Sequence, residues 1–266
     1  MKWTDIPAGT LRAAEQRLWV AFGDDAETVA ERINTDPAYL TNIVRTMIHG
    51  KFNITTNLQY AREIMGQNFF GIDDAQKHLA IVPTGAQVAS LFSVPFSEGC
   101  LELYKDTHIL IAVFPISIAE MRTRIGKRLF NMLDTNWCLR HVFAKYKCPL
   151  GWYLVRKTAL EGSRFNALHT QCKLLGKDET VPTTNIMTYT LVGYALSKNE
   201  HLFQDILVRC SDSATVKIVH NEQTKDITSK VMIGFGKHGL QIEYCSDNDL
   251  CNWDIGLASM IFPHQL

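Results

Sequence analysis

No C-x-x-C pair occurs in this chain, and its 7 cysteines are odd in number and scattered. That spacing excludes the usual structural zinc site and a disulfide scaffold; Cys100, Cys138, Cys148, Cys172 and Cys210 read as reduced, mostly buried thiols. Net charge is also missing, since 27 basic and 27 acidic residues sum to 0. A bulk electrostatic partner, such as non-specific nucleic acid or an anionic membrane, is therefore not expected, although a small local DNA-reading patch is compatible. The longest apolar run, Ile109 to Ile116, is far too short to cross a bilayer. No long apolar segment follows Met1-Lys2-Trp3-Thr4-Asp5, so no signal peptide is read. Together these absences describe a soluble cytoplasmic protein without membrane contact. G-x-S-x-G, H-E-x-x-H and G-x-x-x-x-G-K-[ST] are lacking as well. His238, Cys245, Cys251 and His264 match no common metal spacing, and no chelating partner recurs near His108 or His141. The expectation is no metal, no cofactor and no enzyme.

What is present is a normal globular balance, 46% hydrophobic and 20% charged over 266 residues, enough for a sizeable core. Residues 1–52 read as helices: Leu11 to Phe22, Ala26 to Ile33, and a third from Pro37 to about His49 with Asp36 as its N-cap. Two helices around a short turn outline a helix-turn-helix, in which Ala38, Tyr39, Thr41, Asn42 and Arg45 would face a DNA groove. An acidic second helix and the absence of a basic flank favour a plain three-helix pack equally well. Residues 53–148 read as α/β packing, with helices 53–64, 72–79, 98–105 and 117–125 around an apolar strand from His108 to Phe114. Gly126-Lys127-Arg128, Arg140, Lys145 and Lys147 make its end locally basic, which is usually a solvated face. Pro149-Leu150-Gly151 reads as a boundary. Residues 149–266 then offer a strand at Trp152 to Arg156, a short helix near Leu168 to Leu175, and a strong helix from Thr183 to Ser197. Strands 206–210 and 216–219 follow.

Lys230 to Phe262 organises the tail. Gly234-Phe235-Gly236-Lys237-His238-Gly239 spells G-x-G-x-x-G, but a dinucleotide site needs a helix next. Leu240-Gln241-Ile242-Glu243-Tyr244 instead alternates at period two and reads as a strand, so the glycines mark a bend between strands. Cys245 to Asp254 is rich in turn formers, and a long loop pinned between strands is a usual place for recognition. The fold class expected overall is α+β, a helical N-terminal region followed by short strands and long loops.

Several short motifs occur in order: Gly151-Trp152-Tyr153-Leu154-Val155-Arg156-Lys157-Thr158; Tyr189-Thr190-Leu191-Val192-Gly193-Tyr194; His201-Leu202-Phe203; Leu207-Val208-Arg209-Cys210-Ser211-Asp212; Gly239-Leu240; and Trp253 to Ser259. This set resembles the C-terminal domain of target proteins of diversity-generating retroelements, a C-type-lectin-like fold in the variant shared with formylglycine-generating enzymes. The likeness covers roughly the last hundred residues. It implies a diversifiable binding face made of His238, Tyr244, Cys245, Ser246, Asp247, Asn248, Asp249, Leu250, Cys251, Asn252, Trp253 and Asp254. In that family adenine mutagenesis turns AAY codons into NNY codons, which cannot encode Lys, Glu, Gln, Met or Trp. Every residue from Tyr244 to Asn252 is permitted, as are His238 and Asp254; Lys237, Gln241, Glu243 and Trp253 would be fixed scaffold. The resemblance implies an unidentified protein or small-molecule ligand at this face. Two alternatives stand beside it: a ligand-responsive DNA-binding transcription regulator, and a thiol-dependent enzyme using Cys210, Cys245 or Cys251.

Overall fold

The computed structural model describes residues 26–35, 55–125, 129–130, 137–220, 223–245 and 254–263. The chain divides into two units, residues 1–52 and 53–266. In the first, helix α1 (Ala26–Thr35) carries Glu27 in its opening turn, where the helix dipole favours an acid. Tyr39, Thr41, Asn42 and Arg45, with the rest of the expected helix-turn-helix, lie outside the described residues.

The second unit begins with β1 (Thr56–Asn57), paired antiparallel to β3 (Ser93–Val94). Asn57 caps α2 (Leu58–Met65), its side chain accepting from Gln59 N at 2.8 Å. β2 (Phe69–Phe70) leads into α3 (Ile72–Leu79), where the Asp74 carboxylate accepts from Gly71 N at 2.8 Å. α4 (Gly85–Ser90) is not expected from the sequence; it is too short to show a period and is held by reciprocal Thr84–Gln87 capping. Ser97 opens α5 (Glu98–Tyr104) as expected, accepting from Cys100 N at 3.1 Å. β4 (His108–Val113), buried along its whole length, and α6 (Ile118–Ile125) follow.

Among the described residues there are two four-stranded sheets. In the first, β4 pairs antiparallel with β5 (Gly151–Arg156), from His108↔Arg156 to Val113↔Gly151. β2 lies parallel to β4, and β10 (Met260–Ile261) lies antiparallel to β5. The expected boundary at Pro149 therefore falls between two strands that pair residue for residue, inside one unit. Proline and glycine mark a turn there, and a turn between paired strands has the same composition as a linker.

The second sheet has the order β8-β7-β6-β9, with β6 (Leu207–His220), β7 (Gln223–Gly236), β8 (Gly239–Cys245) and β9 (Ile255–Leu257). The two strands expected at 206–210 and 216–219 are one. β6 slips register between Arg209↔Met232 and Ser213↔Lys230, with three residues on β6 between these pairs against one on β7. The polar Ser211-Asp212 in this bulge reads as a break but serves another element. Ser211 N donates to Pro182 O at 2.9 Å, and the Asp212 carboxylate accepts from Thr184 N at 2.6 Å, at the start of α8 (Thr184–Lys198). Bulges commonly re-aim side chains in this way.

α8 is more central than its expected broad apolar face required. Every residue from Thr184 to Ala195 is buried, and the helix touches β4 of one sheet and β6 and β7 of the other. Three of its buried hydroxyls are bonded: Thr188 and Thr190 donate to the carbonyls of Thr184 and Ile186, and Tyr189 Oη donates to Ala112 O at 3.0 Å. Tyr189→Phe is expected to lower unfolding stability by about 1–2 kcal/mol in urea titration, because the buried Ala112 carbonyl loses this donor.

Candidate functional site

The glycine triplet lies where β7 turns into β8, with no helix after it, and each glycine has its own reason. A Cβ on Gly234 would run into the main-chain carbonyl oxygen of Ile206. One on Gly236 would meet only the amide end of Gln241, which can swing away. Gly239 has φ +112°, a conformation that disfavours other residues. This is a strand bend, not a phosphate cradle.

The expected binding residues are divided by the period of β8. Tyr244 turns to the helix side and packs edge-on against Trp137, ring centroids 5.2 Å apart. Gln241 and Glu243 point to the opposite face, where they and Asp254 line a cleft of about 420 Å³ with Asp205 and Lys237. His238 is exposed at the bend, and Cys245 ends β8. Ser246, Asp247, Asn248, Asp249, Leu250, Cys251, Asn252 and Trp253 lie outside the described residues.

The cleft has a firm floor. Leu207, Met232 and Ile255 form a small apolar cluster there. Beside it the buried Arg209 guanidinium donates to Gln171 Oε1 at 2.7 Å and to Asn166 O at 3.2 Å. Gln171 Nε2 in turn donates to Ser163 O and Ile255 O, at 2.7 and 3.0 Å, fastening the chain around α7 (Leu168–Cys172) to β9. Asp205 is held at the rim in a left-handed conformation, φ 58°, by Asp205 N donating to Phe235 O at 2.7 Å. Asp254 forms an ion pair with Arg164, whose guanidinium also lies 5.8 Å from the exposed ring of Phe165. Phe165 has φ 58°, unusual for an aromatic residue. Neither Asp205 nor Arg164 stands out in the sequence, because only the fold brings them to Asp254.

A second polar cluster is structural. Glu179 Oε1 accepts from Ser259 Oγ at 3.1 Å and lies 3.4 Å from Arg156 Nη1. His108, fully buried, takes a hydrogen bond between Nδ1 and Thr107 Oγ1 at 2.8 Å, while its Nε2 is 3.9 Å from Glu179 Oε1 and has no hydrogen-bond partner. Burial, reinforced by Arg156, depresses its pKa to about 4. These contacts join β4, β5 and the turn before β10.

Cys100, Cys138, Cys148, Cys172 and Cys210 are free thiols. Cys138, Cys148 and Cys210 are buried and Cys100 is partly so, but Cys172 is exposed, against expectation: it closes a five-residue helix on its solvent side. Burial pushes Cys138 and Cys148 up to about 12 and Cys210 further still, so Cys210 is a thiol and not a thiolate nucleophile at neutral pH. Among the described residues no group of three His, Cys, Asp or Glu side chains could hold a metal ion, and no helix is long and apolar enough to cross a membrane. No family model, curated protein or solved structure matches the chain.

Proposed function

We propose that this is a recognition protein that binds its ligand at the cleft of the second sheet, through a segment open to diversification, as in target proteins of diversity-generating retroelements. One observation carries the reading: β8 and β9 are the two outer strands of their sheet, so residues 246–254 join its opposite edges and deliver Asp254 to the cleft. Three strand spacings come to about 14 Å, and because β8 runs parallel to β9 the link also returns along the strand direction. Nine residues reach at most roughly 30 Å, enough to make that crossing. The neighbouring scaffold residues Lys237, Gln241 and Glu243 are of the kinds NNY codons cannot produce. The cleft rim, with Asp205, Glu243 and Asp254 against Lys237 and the Arg164 that pairs with Asp254, suits a ligand rich in hydrogen-bond donors or carrying positive charge.

Simultaneous replacement of Ser246 to Asn252 by other NNY-encodable residues is expected to leave each variant folded, with changes within about 0.5 kcal/mol per site in denaturant titration. Variants selected from such a library for binding to a cationic peptide should lose it on Asp254→Ala while keeping the parental melting temperature. Collapse of the fold across the library would overturn the proposal. A genomic template repeat differing from this coding segment only at adenines would establish the diversification.

A further inference from the structure

The neutral total charge conceals a segregated surface. Among the described residues between Ser117 and Pro149 stand five cations, Arg122, Arg124, Arg140, Lys145 and Lys147, against one carboxylate, Glu120. The same stretch carries an aromatic group that the cleft does not use. Trp137 is the hub: the His141 ring lies edge-on to it at 5.1 Å, and Tyr244 of β8 at 5.2 Å. Its indole N–H is committed to Ile242 O at 2.8 Å, which locks the ring in place. Tyr244 is 41% exposed and Tyr146 66% exposed, whereas most of the described aromatic side chains are buried or half-buried. Arg140 is exposed on the first of two short 3-10 turns that follow Trp137 (Cys138–Arg140 and Val142–Ala144), Lys145 is exposed just after the second, and the Arg122 charge bears on the Cys138 thiol. Lys147 reaches Glu120 at 3.4 Å, and Arg124 Nη1 donates to Ala80 O at 3.3 Å, so Arg140 and Lys145 are the cations the patch presents.

We infer that this aromatic and basic patch binds single-stranded DNA, with bases stacking on Tyr244, beside Trp137, and the phosphates following Arg140 and Lys145. Ring faces interleaved with cations match the alternation of base and phosphate along an unpaired strand. A duplex hides its base faces, so rings at the surface favour an unpaired strand. Trp137 and Tyr244 are held by protein contacts, so they are arranged before the strand arrives. This site lies on the helix side of β8, away from the cleft, and does not depend on what the cleft binds.

The test is fluorescence anisotropy of the full chain with a labelled oligothymidylate. Binding is expected to weaken as salt rises, as counterion release from two phosphate contacts requires. The exposed-site double variant Arg140→Glu/Lys145→Glu should weaken it at least about tenfold. Tyr244→Ala should weaken it about tenfold and Tyr244→Phe hardly at all, since stacking needs the ring and not the hydroxyl. Thermal melts check that each variant is folded. The inference is overturned by no salt-dependent binding, by binding that both altered sites leave unchanged, or by tighter binding of duplex or of oligouridylate. Loss on Arg45→Ala with retention in the double variant would also overturn it, by placing the DNA on the first unit.

Discussion

Gly234→Ala is expected to destabilise the protein by about 3 kcal/mol, near the upper end of what overpacking costs. The new Cβ would collide with the Ile206 carbonyl, which belongs to the main chain and cannot rotate aside. Phe203 O stands close on the same side, and that segment is tied to β7 by Phe235 N donating to Phe203 O at 3.1 Å. Relief would have to move the segment that holds Asp205 at the cleft. Gly236→Ala is the internal control: its obstacle is the end of the Gln241 side chain, so its loss should stay below about 1 kcal/mol. Urea unfolding of the two variants, followed by circular dichroism, reads the difference directly. Equal losses would remove the steric account of the triplet.

Acidification supplies the second large effect. The folded pKa of His108, about 4, lies below the ordinary histidine value of 6.5, so the fold favours the neutral ring. Its contribution is whole above pH 6.5 and is lost as the pH falls from there through 4, because over that window the unfolded chain takes a proton that the folded one refuses. The loss amounts to about 3 kcal/mol at roughly 1.4 kcal/mol per pH unit. The groups bearing on the imidazole are Arg156 and Lys157, which disfavour its charge, and Glu179, which favours it. The Tyr104 ring stands edge-on to it at 4.8 Å. Carboxylates elsewhere also weaken the fold in acid, so the quantity to measure is the difference between wild type and His108→Gln at about pH 7 and at about pH 4.5. A slope that the substitution leaves intact would show that His108 does not set it.

Elements whose signals are local are legible in the amino-acid sequence. Ser97 and Thr183 cap their helices by accepting from free backbone N–H groups, and Asp74, the third residue of α3, reaches back to the N–H of Gly71. β4 and β5 announce themselves as apolar runs, and the strand after the glycines by its alternation. What escapes a local reading is tertiary. Ser211 and Asp212 look like the end of a strand because their role is to hold α8, a partner no local window contains. Pro149 looks like a border because pairing between β4 and β5 leaves no trace in composition. The cleft is half visible: the motifs point to Asp254 as a binding residue and to Lys237, Gln241 and Glu243 as scaffold, but Asp205 and Arg164 reach it only through the fold. Strand periodicity alone separates Tyr244 from Glu243, whereas the contact with Trp137 is one that no spacing suggests.

The short strand β10 settles when the larger unit can finish folding. Its register, Met260↔Val155 and Ile261↔Leu154, closes the open edge of a strand made more than a hundred positions earlier. While the polypeptide is being synthesised, Leu154 and Val155 wait with their outer main-chain groups unpaired, and no nearer stretch of sequence replaces the missing neighbour. Ribosome-bound intermediates halted before this point carry an exposed sheet margin, the kind of surface that holding chaperones cover and that aggregation exploits.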